Sequence, residues 1–363
     1  MTRFLTRGLV MGTAVFSACA MAGEASFYGR AHFALNHLDD GNDYRAFSVS
    51  SNSSRVGVEA SHPLRDQLEV IAQFEGTVDI DQANDDFTFS SRNAFGGFRG
   101  DWGMVRIGKF DSPLKRLMNS VELFRDQIGD ARNVARSRTV VGTIDGSDVS
   151  VNFDSRFDNA VGYTSPSHHP LVVNLAYSGD TQEQTSVDGN RNDALSGSLS
   201  YYRGNVYAAI AHEQLNFADP ELNEREATRL AAAYRWPALT LNGFFQSTTN
   251  PNDDVYGVGA SHPLNHEVSL KAQYYTLDAD SGDDADIYSV GVDWAVEDNL
   301  MLYSTLSQIS NSGSASHVPW REGLSLSASS DGIDASGESP WALSAGAVAL
   351  HKLQCHWKDL AQW

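Results

Sequence analysis

Glu267-Val268-Ser269-Leu270-Lys271-Ala272-Gln273-Tyr274 sets Val268, Leu270, Ala272 and Tyr274 at every second position, with Glu267, Lys271 and Gln273 among the residues between them. Alternation of period two sends the two sets to opposite faces of an extended strand. The pattern recurs along the chain. Phe27, Gly29, Ala31, Phe33 and Leu35 alternate with Tyr28, Arg30, His32 and Asn36, and Leu68, Val70, Ala72 and Phe74 with Glu69, Gln73 and Glu75. Leu171, Val173, Leu175 and Tyr177 make another row. Leu230, Ala232, Tyr234 and Trp236 face away from Arg229 and Arg235, and Tyr288, Val290, Val292 and Trp294 from Ser289 and Asp293. Between 47 and 58 the apolar parity switches from Val49 to Val56, which predicts a bulge or a slipped register.

Sixteen such segments can be counted, at 25–38, 46–60, 67–80, 86–100, 102–110, 155–165, 170–179, 193–203, 205–216, 226–236, 238–248, 254–263, 266–278, 285–296, 299–309 and 339–350. Segments of about ten residues, tilted, match the hydrocarbon thickness of a bilayer. Their apolar rows lack charge, which favours lipid on that face. An even count lets the ends of a sheet meet antiparallel, and at sixteen strands the lumen holds water rather than packed side chains. The expected fold is therefore all-β, a transmembrane antiparallel barrel of sixteen strands. Short turns are read at Ser61-His62-Pro63-Leu64, Ser167-His168-His169-Pro170 and Ser261-His262-Pro263-Leu264, alternating with longer loops. These histidines lack paired ligands at metal spacing, so no metal site is expected. Tyr44, Phe47, Phe98, Trp102, Tyr202, Trp236 and Trp294 fall near strand ends, as interfacial aromatics do.

Arg3 and Arg7, the apolar run Gly8–Ala18 and the small residues of Ala20-Met21-Ala22 mark residues 1–22 as a signal peptide cut before Gly23. The barrel is then expected over 23–350. The formal net charge of −20 argues against nucleic acid, whose binding requires Lys and Arg on the phosphates. Acid on outer loops would suit a surface rich in divalent cations. Cys19 leaves with the signal peptide and Cys355 stands alone, so no disulfide framework is expected.

The longest break in alternation, about 111–155, carries its own order. Ser112 and Pro113 suit a helix start, and Leu114, Leu117, Met118 and Val121 follow helical spacing. Glu122, Asp126 and Asp130 step by four, so a helix continuing there would gather acid on one side. Parity turns Arg30, Arg106 and Arg156 inward, and Arg55 and Arg92 are candidates for the same face. These arginines could equally be bridged to Glu59, Glu75 or Asp158, and the acidic steps could be a solvated face.

Gly108-Lys109-Phe110-Asp111-Ser112-Pro113, Arg156-Phe157-Asp158-Asn159-Ala160-Val161-Gly162-Tyr163-Thr164-Ser165-Pro166 and Phe27-Tyr28-Gly29-Arg30 resemble the general-diffusion porins of Gram-negative bacteria, in particular the neisserial and proteobacterial trimeric group. The resemblance, over residues 25–346, implies an outer-membrane channel for passive diffusion of ions and small hydrophilic solutes. It also implies a homotrimer set among outer-membrane lipid and lipopolysaccharide and inserted by the barrel-assembly machinery. No cofactor is implied. The third loop of that family folds inward and narrows the pore. Here Glu122, Asp126 and Asp130 would then face Arg30, Arg55, Arg92, Arg106 and Arg156 across the constriction, with anions favoured.

The family's last strand ends on an aromatic residue after an alternating run. Ser339–Gly346 begins such a strand, but Asp359 breaks the alternation that leads to Trp363. A shifted reading frame after Gly346, leaving an atypical tail at 351–363, would account for this. Two other functions are weighed. An outer-membrane enzyme of phospholipase or protease type would need Ser–His or Asp–His pairs, yet no Gly-x-Ser-x-Gly occurs and His212-Glu213 lacks its second histidine. A soluble secreted β-protein would show similar alternation.

Overall fold

In the computed structural model, residues 23–39, 45–65, 67–78, 89–136, 139–144, 147–181, 192–217, 224–280, 284–311 and 322–331 are described. The strands are β1 (Glu24–Asp39), β2 (Arg45–Ser51), β3 (Arg55–Arg65), β4 (Leu68–Val78), β5 (Phe89–Gly100), β6 (Gly103–Asp111), β7 (Thr139–Ile144), β8 (Ser147–Val151), β9 (Arg156–Thr164) and β10 (Leu171–Ser178). They continue as β11 (Asp193–Arg203), β12 (Val206–Asn216), β13 (Arg225–Trp236), β14 (Leu239–Thr248), β15 (Asp254–Pro263), β16 (Val268–Asp278), β17 (Ala285–Glu297), β18 (Leu300–Asn311) and β19 (Glu322–Asp331). Two short helices, α1 (Pro113–Met118) and α2 (Arg132–Ala135), and the β7–β8 hairpin belong to the segment between β6 and β9.

Apart from β2 and β3, which both pair with β1, consecutive wall strands pair antiparallel, β6 pairing directly with β9 across the intervening loop. β1 pairs with β19 on one side and with β2 and β3 on the other, so the run of pairings returns to its first strand. Counted with β2 and β3 as one interrupted strand, the wall has sixteen strands.

That interruption explains the parity switch. β2 and β3 pair with successive halves of β1, and the residues between them bulge, with Ser53 at φ 65. His32 pins the bulge: its N–H donates to Ser54 Oγ at 2.9 Å, and its carbonyl accepts from the Asn52 N–H at 3.0 Å. One extra residue re-aims every side chain beyond it.

The expected segments lie within a few residues of fifteen wall strands, but the last differs. β19, at Glu322–Asp331, fills the seam, whereas the expected 339–350 segment lies outside the described residues. Leu324, Leu326 and Ala328 do alternate with serines, but a run so rich in serine and flanked by Gly and Asp reads equally as loop. Residues 1–22 and 351–363 also lie outside the described residues. Two short turns shift as well. Ser61, His62 and Pro63 are still paired with β4, and Ser261, His262 and Pro263 with β16. Pro63 is tolerated because β1 pairs only as far as Ser61, leaving no partner that needs its missing N–H.

The outward rows meet the membrane as read. Ile107, Val258, Val290 and Leu306 are more than half exposed although wholly apolar. Phe98, Trp102, Trp236 and Trp294 are exposed close to the short turns, whereas Tyr202 turns inward against Tyr207. Tyr44 lies outside the described residues. One glycine is decisive for the wall. Gly108 has φ 139, and a Cβ there would collide with the Ala94 carbonyl of β5. Gly108→Ala is expected to destabilise the barrel by about 1–3 kcal/mol, seen as a lower temperature for loss of the compact form on heat-modifiability gels.

Candidate functional site

The buried apolar cluster does not fill the barrel axis; it joins the segment after β6 to the inner wall. Leu114, Leu117, Met118, Val121, Val134 and Ala135 pack against inward Ala176, Ala194, Ala211, Ala227 and Ala231. Small wall residues open the space that the loop occupies. Ser112 caps α1, its Oγ accepting from the Lys115 N–H at 3.3 Å, and Pro113 opens the first turn.

Two buried cations fix the loop to the wall. Arg229, fully buried on β13, donates to the Leu114 carbonyl and to Asp154, each at 3.1 Å, and to Gln246 Oε1. Gln246 in turn donates to the Ala135 carbonyl at 2.7 Å, so one wall site holds both helices. Farther round, Lys271 on β16 donates to the Leu123 carbonyl at 3.0 Å, pairs with Asp293 at 2.8 Å and lies 4.5 Å from the centre of the Phe124 ring. Thr305 donates to Gln127 Oε1 at 2.6 Å, and Gln273 to the Gly129 carbonyl at 2.5 Å. The two seats lie on β13–β14 and on β16–β18.

Beyond these seats the loop also meets β1, which lies two strands past β18 across the β19 seam. Arg30 on β1 donates to Asp126 Oδ2 at 2.9 Å. Asp126 also meets Arg132 of its own loop at 2.8 Å. The helix expected to carry Glu122, Asp126 and Asp130 stops at Met118, and Asp126 sits at φ 63, outside helical geometry. The three carboxylates therefore serve different partners. Asp126 faces the wall, Asp130 binds Arg132 beside it, and Glu122 accepts the N–H groups of Phe124 at 2.8 Å and Ala131 at 3.0 Å.

The five arginines also separate. Arg55 and Arg92 share Glu75, the first at 3.1 Å, and Tyr28 donates to the same carboxylate at 3.0 Å. Arg156 pairs with Asp111 at 3.1 Å, which Lys115 also meets at 3.0 Å. Arg106 stacks on Phe110, 4.3 Å from the ring centre, and meets no acid of the loop. Asp158 pairs with Lys109 rather than with an arginine. The sequence reading missed Arg125, Arg132 and Lys115 as loop cations. It also turned Arg229 and Lys271 inward without recognising them as seats; a lone charge at an inward position opposite an uncharged row was the available signal.

Burial alone would raise the Asp126 carboxyl, but Arg30, Arg125 and Arg132 hold it well below the usual carboxylate range. Glu122 goes the other way: burial, with Asp130 beside it, pushes it up to about 8 against the two N–H groups that favour its charged form. Its raised value makes the docked loop most stable below its ordinary 4.5. That contribution falls as pH rises from there and is gone above about 8. Raising pH through 8 is therefore expected to add negative charge to the loop. With the protein reconstituted in a bilayer, the reversal potential in a salt gradient should move toward cations over that range and stay flat in Glu122→Gln.

A sequence profile described as Gram-negative porin matches residues 9–314. The chain belongs to the Gram-negative porins. Among relatives of this porin, the outer membrane porin protein 32 of Delftia acidovorans is 23% identical over 279 residues, covering 74% of this chain and 77% of that one. The solved anion-selective porin from Comamonas acidovorans superposes with a TM-score of 0.73 at 20% identity, over 84% of this chain and 98% of that one. An outer membrane protein of Vibrio cholerae, OmpT in its trimer form, gives 0.59 at 15% identity, over 85% and 99%. The porin is thus an outer-membrane channel for diffusion, and family and relatives point to a channel rather than an enzyme.

Proposed function

We propose that this porin passes small hydrophilic anions in preference to cations, through a constriction formed by residues of the 111–155 loop and the facing arginines. The observation that carries this is local charge. Arg30, Arg55, Arg92, Arg125, Arg132, Arg156 and Lys115 outnumber Glu75, Asp111, Asp126 and Asp130, with which they form ion pairs. Glu122, pushed up to about 8, adds little negative charge at neutral pH. A narrow passage poorly screened by water concentrates that imbalance, whatever the net charge of the whole chain. The similarity to a porin titled anion-selective supports the same direction.

Asp126 is closed into direct ion pairs with Arg30 and Arg132, so in this reading the field on a passing solute comes from the cations left in excess around the loop. The working unit in this reading is a homotrimer in outer-membrane lipid and lipopolysaccharide, delivered by the barrel-assembly machinery after removal of residues 1–22. The trimer form of the Vibrio neighbour supports that assembly. The test is the reversal potential of the reconstituted porin in a potassium chloride gradient. A chloride-preferring sign is expected, and a potassium-preferring sign refutes the proposal.

A further inference from the structure

Arg106 is the charged wall residue that the constriction does not employ. It lies in β6 toward the short turn at Asp101–Trp102, beyond the point where the loop leaves at Asp111. Its side chain is only 6% exposed, yet no described residue accepts a hydrogen bond from it, and its Nε is buried without a partner. Two rings flank the guanidinium, Phe110 at 4.3 Å and Phe95 at 5.7 Å from their centres. Gly162 on β9, directly opposite Arg106 in register, has no side chain to hold the Phe110 ring away. Aromatic faces offset part of the cost of burying a cation but supply no lone pair to its N–H groups. Asp111, the carboxylate on the same strand, is already bound by Lys115 and Arg156.

A second guanidinium approaches from the loop. Arg116 of α1 donates to Asn174 Oδ1 at 3.3 Å. Asn174 faces the lumen on β10 and is tied to Thr164 at 2.9 Å and Ser198 at 3.2 Å. Register places Ala176, two residues along β10 on the same inward face, opposite Gly162. Arg106 and Arg116 therefore converge on one stretch of inner wall, between α1 and the short-turn rim. Planar guanidinium groups match paired oxygens, so an oxyanion gains bidentate, charge-assisted hydrogen bonds there that chloride does not offer.

We infer that Arg106 and Arg116 form a retention site for small oxyanions, of which hydrogen phosphate is the simplest, on the short-turn side of the constriction. The site rests on the anion reading and deepens it, giving solutes that clear the arginines a second foothold before release. Such a site slows the faster ion when occupied, because conduction needs binding weak enough to leave.

The test is chloride current through single reconstituted channels titrated with inorganic phosphate at constant ionic strength, each channel normalised to its own chloride current. The wild-type channel should show saturable reduction by phosphate. Arg106→Gln and Arg116→Gln should each raise the half-reducing concentration roughly tenfold, the scale of losing charge-assisted hydrogen bonds. The absence of saturable reduction in the wild-type channel, or an unchanged half-reducing concentration in Arg116→Gln, overturns the site. Arg116→Gln alone decides the matter if Arg106→Gln fails to fold, since Arg116 lies outside the wall strands. A potassium-preferring reversal potential would instead sink the underlying anion reading, whereas chloride preference without phosphate dependence sinks only the retention site.

Discussion

Arg229→Met is expected to unseat the third loop while leaving the barrel wall standing. The substitution removes every hydrogen bond by which Arg229 holds Leu114, Asp154 and Gln246, and it strands the Asp154 carboxylate in a site with no exposure. Breaking a buried pair from one side costs about 3–5 kcal/mol, more than the few-residue helices α1 and α2 can supply on their own. The loop should then sample positions away from β13 and β14. Single-channel current should become noisier and larger, and residues 112–136 should become open to protease while the barrel still resists heat and detergent. Replacing both partners by apolar residues, Arg229→Met with Asp154→Leu, should recover most of the loss, because the stranded charge disappears with its partner.

Arg55, Arg92 and Arg156 changed together to glutamine are expected to abolish the anion preference. They leave Glu75 with Tyr28, and Asp111 with Lys115, so each carboxylate keeps one partner at or below 3.0 Å. A unit charge about 8 Å from a passing ion, at an effective dielectric between those of protein surface and water, is worth about 1 kcal/mol. Losing three such charges leaves four cations against four acids, so the chloride preference should disappear. The change should fade as salt rises toward 1 M, where the screening length falls to about 3 Å. Reversal potentials at two ionic strengths would check both statements.

What alternation encodes decides how much of this fold and site is legible in the sequence. Wall faces were legible because lipid tolerates only one row and water the other, so Leu230 and Arg229 could be assigned from order alone. The bulge at 52–54 was visible as a parity fault between Val49 and Val56, though not its cause, since His32 holds it from a different strand. The seam strand β19 was missed because serine-rich alternation carries little hydrophobic signal. Inside the loop, periodicity misled. Glu122, Asp126 and Asp130 have helical spacing but no helix, because the chain there is shaped by contacts to Lys271, Gln273 and Thr305, far away in sequence. Arg30 with Asp126 was legible as a possibility of charge and parity; that Arg55 and Arg92 would share Glu75 depended on register, which no single strand reveals.

The central claim is a water-filled pore narrowed by a loop locked to its wall. It is tested most directly by single-channel conductance of the protein without residues 1–22, compared in the same bilayer with a variant whose residues 113–135 are replaced by a flexible Gly-Ser linker. The account predicts long-lived steps for the first and clearly larger, noisier steps for the second, with larger neutral polymers admitted. A folded barrel that inserts without conducting, or two channels with indistinguishable steps, would contradict it.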